Sequence, residues 1–233
     1  MKSRRPPVFG VDDAGRRAAV DVLRGGGIVA LPTDTVYGIG VALSTPGGVE
    51  RLFEVKKRPP DKAIMVLVED LAQVTELVGV PPAAAALASL WPGGLTLVLP
   101  LLPGVELPRA LTAGTTSLGV RIPDHQVPRY LARAVGPLPT TSANPSGHPD
   151  ARSADEVIVS LGDRIDAVVD GGRSPGGVPS TVLDCTMPLV RVIRSGAIAA
   201  SRIAALLDAV GIEHELGEAT DAGTSADDPI VGR

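Results

Sequence analysis

The chain has 233 residues, 44% of them hydrophobic, enough for one large domain or two small ones with a substantial core. A single cysteine, Cys185, excludes an internal disulfide and a cysteine-based metal cluster, the three scattered histidines show no ligand spacing, and five aromatic residues leave no base-stacking platform. The net charge of −4 is uneven, because residues 213–233 hold six acids against Arg233, so the remainder is nearly neutral and a poor match for nonspecific nucleic-acid binding.

Helical and extended patterns alternate from the start. Asp12 or Asp13 caps a helix to about Leu23, which Gly25-Gly26-Gly27 ends. Residues 28–31 read as a buried strand, and Pro46 suits the first position of a helix through Lys56. Residues 63–68 form another strand, Asp70 opens a helix through Val78, and Pro81-Pro82 starts the next, stopped at Trp91-Pro92-Gly93-Gly94. Strands at 95–99 and 118–122 flank a Gly/Thr/Pro-rich loop over 103–117. A helix over 127–135 follows, then a strand at 138–141 and a capping box at Ser153 before a helix to about Leu161. Strands at 167–170, 181–184 and 189–193 and a helix over 198–210 complete the pattern. One α/β domain around a large mixed sheet is expected over 10–211, with an N-terminal extension at 1–9 and an acidic tail at 212–233 expected to be disordered. No apolar run nears the roughly 20 residues of a spanning helix, and no apolar core follows the basic start, so a soluble cytoplasmic protein without membrane contact is expected.

Phosphate-loop, dinucleotide and nucleophile-elbow motifs are absent, as is a Ser/His/Asp or Cys/His set. Any chemistry must then run on positioning and charge. The run Lys56-Lys57-Arg58-Pro59-Pro60-Asp61-Lys62 reads as a stiff, exposed cationic edge suited to a polyphosphate, with Lys56 and Arg58 on one side of an extended segment. Polar groups gather at the ends of expected strands: residues 32–38, Ser117, Arg121, residues 140–144, Ser180-Thr181 and Arg194. Each hydroxyl has a local turn-capping alternative. Arg121 within an apolar strand requires an anionic partner, either a structural acid or a ligand.

The chain resembles the YrdC-like family of threonylcarbamoyl-adenylate synthases, in its short single-domain branch. Seven segments carry the resemblance: residues 32–38 (Pro-Thr-Asp-Thr-Val-Tyr-Gly), 56–59 (Lys-x-Arg-Pro), Trp91-Pro92-Gly93, residues 120–125 (Val-Arg-Ile-Pro-Asp-His), 142–147 (Ser-Ala-Asn-x-Ser-Gly), 179–184 (Pro-Ser-Thr-Val-Leu-Asp) and 193–198 (Ile-Arg-x-Gly-Ala-Ile). The resemblance implies a YrdC/RibB-like twisted mixed sheet flanked by helices. It also implies the conversion of L-threonine, bicarbonate (or CO2) and ATP with Mg2+ to threonylcarbamoyl-AMP and pyrophosphate. The product would serve N6-threonylcarbamoyladenosine formation in tRNA, with tRNA or a tRNA-modifying complex as partner. By motif match, Thr35, Arg121, Thr140 and Ser180 would hold threonine, and Lys56, Arg58, Lys62, Ser117, Ser142, Asn144 and Arg194 the ATP. Lys56 and Arg58 would be catalytic, and no residue a metal ligand. Leu67, Asp150 and Ser195 depart from the residues usual in the family. The competing readings are a paralogue with other carbamoyl or adenylate chemistry and an RNA-binding module.

Overall fold

The computed structural model describes residues 5–59, 61–176 and 178–216. In chain order its elements are β1 (Val8–Phe9), α1 (Asp13–Arg24), β2 (Val29–Leu31), β3 (Gly38–Gly40), α2 (Gly48–Lys56), β4 (Met65–Leu67), α3 (Pro82–Leu87), β5 (Leu95–Pro100) and α4 (Arg109–Thr112). There follow β6 (Ser117–Arg121), α5 (Gln126–Val135), β7 (Leu138–Ser142), α6 (Ala154–Leu161), β8 (Ala167–Val169), β9 (Thr181–Asp184), β10 (Val190–Arg194), α7 (Ala200–Asp208) and β11 (His214–Glu215). Among the described residues no helix is long and apolar enough to cross a membrane.

Local chemistry accounts for the helix ends. The Asp12 carboxylate accepts from the Gly15 amide at 2.7 Å, capping α1. At α6 the Ser153 hydroxyl accepts from Glu156 N, while the Glu156 carboxylate reaches back to Arg152 N, one residue beyond a strict capping box. The expected helix from Pro46 begins later, because Gly47 sits in the left-handed region at φ 69° before α2. The segment after Asp70 winds only a 3-10 turn, Leu71–Val74, and the 103–117 loop contains the single turn α4.

All eleven strands form one mixed sheet in the order β1-β8-β2-β3-β7-β4-β6-β5-β9-β10-β11. Its two faces differ. One carries the larger core, where Ile39, Val66, Leu97, Leu118, Val120 and Leu183 meet buried residues of α2, α3, α4, α6 and α7. On the other, α1 and α5 cover only Val29, Leu31, Leu67, Leu138, Ala167 and Val169. On the same face Val98 and Val182 form a third, smaller cluster with Met65 and Ile193, and the polar stretch between the two coverings is a cleft.

Two expected boundaries need correction. The body extends outward on both sides of 10–211, since β1 pairs in parallel with β8 (Val8↔Val168) and β11 with β10 (Val190↔His214). Ile212 packs on the larger core, and Val190 donates to Glu213 O at 3.1 Å, so the expected disordered tail cannot start at 212. A two-residue edge strand has no periodicity to read; its stability comes from ladder bonds to a neighbour distant in sequence. The rest of the acidic segment, 217–233, lies outside the described residues.

Ending the chain after Gly211 removes Ile212, Leu216 and the β10–β11 ladder. Losing two partly buried aliphatic side chains with their edge pairing is worth about 3 kcal/mol, or about 6–12 °C of Tm for a domain of this size. An unchanged Tm by calorimetry would show that β11 contributes nothing to stability.

Candidate functional site

Strand alternation builds the cleft. In β6, Ser117, Gly119 and Arg121 share one face, while Leu118 and Val120 enter the larger core. The registers Leu67↔Arg121, Met65↔Thr140, Gly38↔Ser142 and Gly40↔Thr140 bring Leu67, Met65, Thr140 and Ser142 to the same side. The cleft has about 450 Å3 unfilled by protein atoms, of which about 30 Å3 admits the centre of a water molecule. It is narrow. The glycines of β3 give it depth: a Cβ on Gly38 would lie 2.9 Å from Thr140 Cγ2, and one on Gly40 3.0 Å from Thr140 Oγ1.

Arg121 lies at one end with its side chain 2% exposed. Its Nε donates to Gly93 O at 3.0 Å, Nη1 to Thr35 Oγ1 at 3.1 Å and Nη2 to Asp34 Oδ1 at 2.7 Å. The structural acid anticipated for this arginine is therefore Asp34. A guanidinium has five N–H groups, so these three bonds leave one on each Nη. Burial pushes its pKa below the usual value and the adjacent Asp34 opposes that shift. It remains a cation at any physiological pH.

Some hydroxyl protons in the cleft can be assigned by elimination. Thr33 Oγ1 lies 2.6 Å from Val36 O, which can only accept, so the Thr33 proton goes there. The two lone pairs of the Thr33 hydroxyl receive the Thr35 and Val36 amides at 3.1 and 3.2 Å, so the 3.0 Å contact with the Thr35 hydroxyl assigns no donor. Thr35 Oγ1 accepts from Arg121 and keeps a further lone pair. Thr140 donates to Leu138 O at 2.8 Å and is likewise an acceptor toward the cleft. At the far end, Arg194 Nη2 donates to the Ser180 carbonyl and hydroxyl at 2.9 and 3.1 Å, and Thr96 Oγ1 lies 2.9 Å from Ser180 Oγ.

The structure thus gathers Thr35, Arg121, Thr140, Ser180, Ser142 and Arg194 along one cleft. The cationic edge requires correction. Lys56 is the last residue of α2, not part of an extended run, and helical periodicity places it beside Leu52, Phe53 and Val49 on the buried side. It is 0% exposed, with Nζ 2.8 Å from Ser142 O, 3.0 Å from Ser142 Oγ and 3.0 Å from Asn144 Oδ1. Arg58 is buried too: Nε donates to Lys62 O and Nη2 to Ala63 O, at 2.9 and 3.0 Å. Lys57, by contrast, is exposed in the left-handed region. Lys56 and Asn144 meet the cleft wall through Ser142, while Arg58, Lys62 and Ser117 lie beyond the residues that line it. Among the described residues no three His, Cys, Asp or Glu side chains gather as a metal site.

Sequence reasoning named the 32–38 segment without a role for Thr33 or Tyr37, and passed over Met65 as a cleft residue and Thr96 as their neighbour. For Thr96 the signal was period two, since it alternates with the core residues Leu95 and Leu97. Tyr37 is wholly buried, its hydroxyl donating to Gly172 O at 2.7 Å and accepting from Gly171 N at 3.1 Å, which ties the 171–176 loop beside the cleft. Burial pushes this phenol up to about 12. Of the three departures, Leu67 is an apolar cleft wall and Ser195 is exposed.

Comparison with known proteins finds relatives in both sequence and fold. The family model Sua5_yciO_yrdC, described as telomere recombination, matches residues 21–196. A Bacillus subtilis protein named threonylcarbamoyl-AMP synthase is 37% identical over 203 residues, covering 86% of this chain but only 58% of its own length. A putative threonylcarbamoyl-AMP synthase of Mycobacterium tuberculosis is 36% identical over 192 residues, which is 82% of this chain and 88% of that protein. Among solved structures, Pyrococcus abyssi Sua5 complexed with L-threonine superposes with a TM-score of 0.83 at 32% identity, covering 97% of this chain and 68% of that one.

The buried position of Lys56 reverses the outcome expected of an exposed cation. In Lys56→Ala, Ser142 and Asn144 lose a charged donor inside the protein, at about 1–3 kcal/mol per stranded group. The expected result is a Tm about 5–10 °C lower, against little change for Lys57→Ala at the neighbouring exposed site. Equal melting of the two variants would contradict it.

Proposed function

The chain belongs to the Sua5/YciO/YrdC family, and we propose that it is an L-threonylcarbamoyladenylate synthase. One observation carries the reading. Arg121 keeps one N–H on each Nη, the number that a carboxylate's two oxygens require, and Thr35 and Thr140 in the same cleft offer acceptors to an amine. That is the complement of an α-amino acid. The L-threonine in the superposed Pyrococcus abyssi structure supports the same assignment.

In this scheme Arg121 holds the threonine carboxylate, Thr35 and Thr140 receive N–H groups of its amine, and Met65 and Leu67 bound its side chain. The amine adds to the carbon of CO2, supplied as such or from bicarbonate, and loses a proton to give a carbamate. A carbamate oxygen then bonds to the α-phosphorus of ATP. The α–β bridging bond breaks, and pyrophosphate departs with the electron pair. No side-chain nucleophile is consumed, which fits a cleft of hydroxyls and guanidinium groups.

Ser142 and Arg194 are the proposed nucleotide contacts at the far end, with Ser180, which Arg194 holds at 3.1 Å, turned to the threonine, and with Ser117, Lys62 and Asn144 beyond them. Lys56 and Arg58 would act from inside the wall, as fixed positive charge near the departing pyrophosphate and as supports for Ser142 and residues 62–63. Magnesium would enter with the nucleotide phosphates, shielding their charge. A cytoplasmic location and delivery of the product to a tRNA-modifying complex complete the proposal.

The deciding assay is threonine-dependent release of pyrophosphate from ATP in the presence of bicarbonate. Release is expected; a paralogue would show none specific to threonine, and an RNA-binding module none at all. Arg121→Lys keeps the charge and loses the planar fork, at about 1.5–3 kcal/mol. The KM for threonine is therefore expected to rise roughly ten- to hundred-fold, with the KM for ATP much less affected. Parallel rises in both constants would overturn the carboxylate assignment.

Gly40→Ala should act at the same end of the substrate. Its Cβ would press on Thr140 Oγ1 from 3.0 Å, so the expected effect is a several-fold rise in threonine KM with a folded protein by calorimetry. An unchanged KM would remove Thr140 from the threonine site.

A further inference from the structure

We propose that Gly176 is a positioning residue for the amino-acid end of the cleft: its bare backbone, set against the Thr35 carbonyl, holds Thr35 in place beside Arg121. The inference rests on the reading of the cleft as an amino-acid site and deepens it.

Residues 171–176 touch residues 32–37 along their length. Gly171 lies against Pro32, where a Cβ on the glycine would come 2.7 Å from Pro32 Cγ. The Tyr37 hydroxyl donates to Gly172 O and accepts from Gly171 N. Ser174 is buried, and its hydroxyl donates to Thr33 O at 3.1 Å. The last contact is the closest. A Cβ on Gly176 would lie 1.6 Å from Thr35 O, 2.4 Å from Thr35 C and 2.9 Å from Thr35 Cα. Only glycine lets two backbones meet in this way.

Carbon and carbonyl oxygen rest roughly 3.3–3.6 Å apart, so a methyl group at 176 would have to part the two backbones by roughly 1.5 Å or more. The 171–176 segment cannot simply lift away. Ser174 N donates to Arg152 O at 2.8 Å and Arg152 Nη2 to Pro175 O at 3.3 Å, while on the far side of Gly176 the Ala197 amide donates to Pro179 O at 2.9 Å. The displacement therefore reaches the turn that carries Thr35. There Thr35 Oγ1 meets Arg121 Nη1 at 3.1 Å, a bond that a shift of this size breaks. Gly176 itself is not among the residues lining the cleft, so it acts on a ligand only through its neighbours. Arg173, in the same segment, is exposed and turns instead to Glu156 at 3.1 Å.

The test is a double-mutant cycle on the full chain, read as the KM values for threonine and ATP in the pyrophosphate assay. Gly176→Ala is expected to raise the threonine KM about tenfold or more, with the ATP KM changing by less than about threefold. Thr35→Val removes the hydroxyl through which the glycine acts. On that background Gly176→Ala should add no more than about threefold. Arg173→Ala should leave the threonine KM as it is. Should Gly176→Ala fail to fold, Ser174→Ala takes its place in the cycle, since it releases the Thr33 carbonyl of the same turn and must show the same dependence on Thr35. An unchanged threonine KM in the folded variant overturns the proposal, as do parallel rises in both constants or an equal rise in Arg173→Ala. A full effect on the Thr35→Val background also overturns it, because the glycine would then act through Ser180. If the unaltered protein shows no threonine-dependent release of pyrophosphate, the amino-acid reading falls and this proposal with it, an outcome distinct from any pattern among the variants.

Discussion

Arg121 ties three separate stretches of the chain into one site. Its own strand supplies the side chain, the Trp91–Gly94 turn supplies the Gly93 carbonyl, and the turn after β2 supplies Asp34 and Thr35. Burying a guanidinium at 2% exposure costs several kcal/mol unless charge and hydrogen bonds are restored, and here Asp34 and two neutral oxygens restore them. The pair also has a chemical consequence. With Asp34 beside it, the Arg121 end of the cleft carries no net formal charge.

The backbone around this pair is arranged so that nothing fills the space in front of it. Gly38 and Gly40 withhold Cβ atoms from Thr140, and Gly94 lets residue 197 approach, where a Cβ would lie 2.6 Å from that of Ala197. The same mixed sheet serves two purposes through its pleat. Val66, Leu97, Leu118 and Val120 seal one face against five helices, while their sequence neighbours Met65, Thr96, Ser117 and Arg121 point to the other. On that second face α1 and α5 reach Leu67 and Leu138, a small cluster closes over Val98 and Val182, and the cleft lies between them.

Lys56 shows how the same residue can belong to both faces. Its helix packs on the sealed core, yet its ammonium reaches Ser142 and Asn144 at the end of β7, the wall of the cleft. A cation placed there is held at fixed distance from whatever anion the cleft receives, without a flexible side chain to order on binding. The cost is that its stability role and its electrostatic role are inseparable. The family relationship over residues 21–196 covers every strand that lines the cleft, from β3 to β10.

Local sequence determined what local physics controls. The Asp12 cap, the buried strands at 28–31 and 95–99, the Ser153 cap and the helix over 126–135 all follow from patterns within a dozen residues. Thr35, Arg121, Thr140, Ser142, Ser180 and Arg194 were legible as one candidate ligand site because polar groups at the ends of buried strands are where open α/β sheets gather ligands, and because they sit in the family's motifs. Tertiary structure alone decided the rest. The edge strands β1 and β11 exist through partners more than twenty residues away in sequence. The buried state of Lys56 and Arg58 was hidden because charge and flanking prolines describe a segment's composition, whereas burial depends on which face of α2 the core receives. Asp34 as the partner of Arg121 depends on a contact across 87 residues. It was fixed by the closing of the sheet, since no spacing rule states which carboxylate a distant guanidinium will meet.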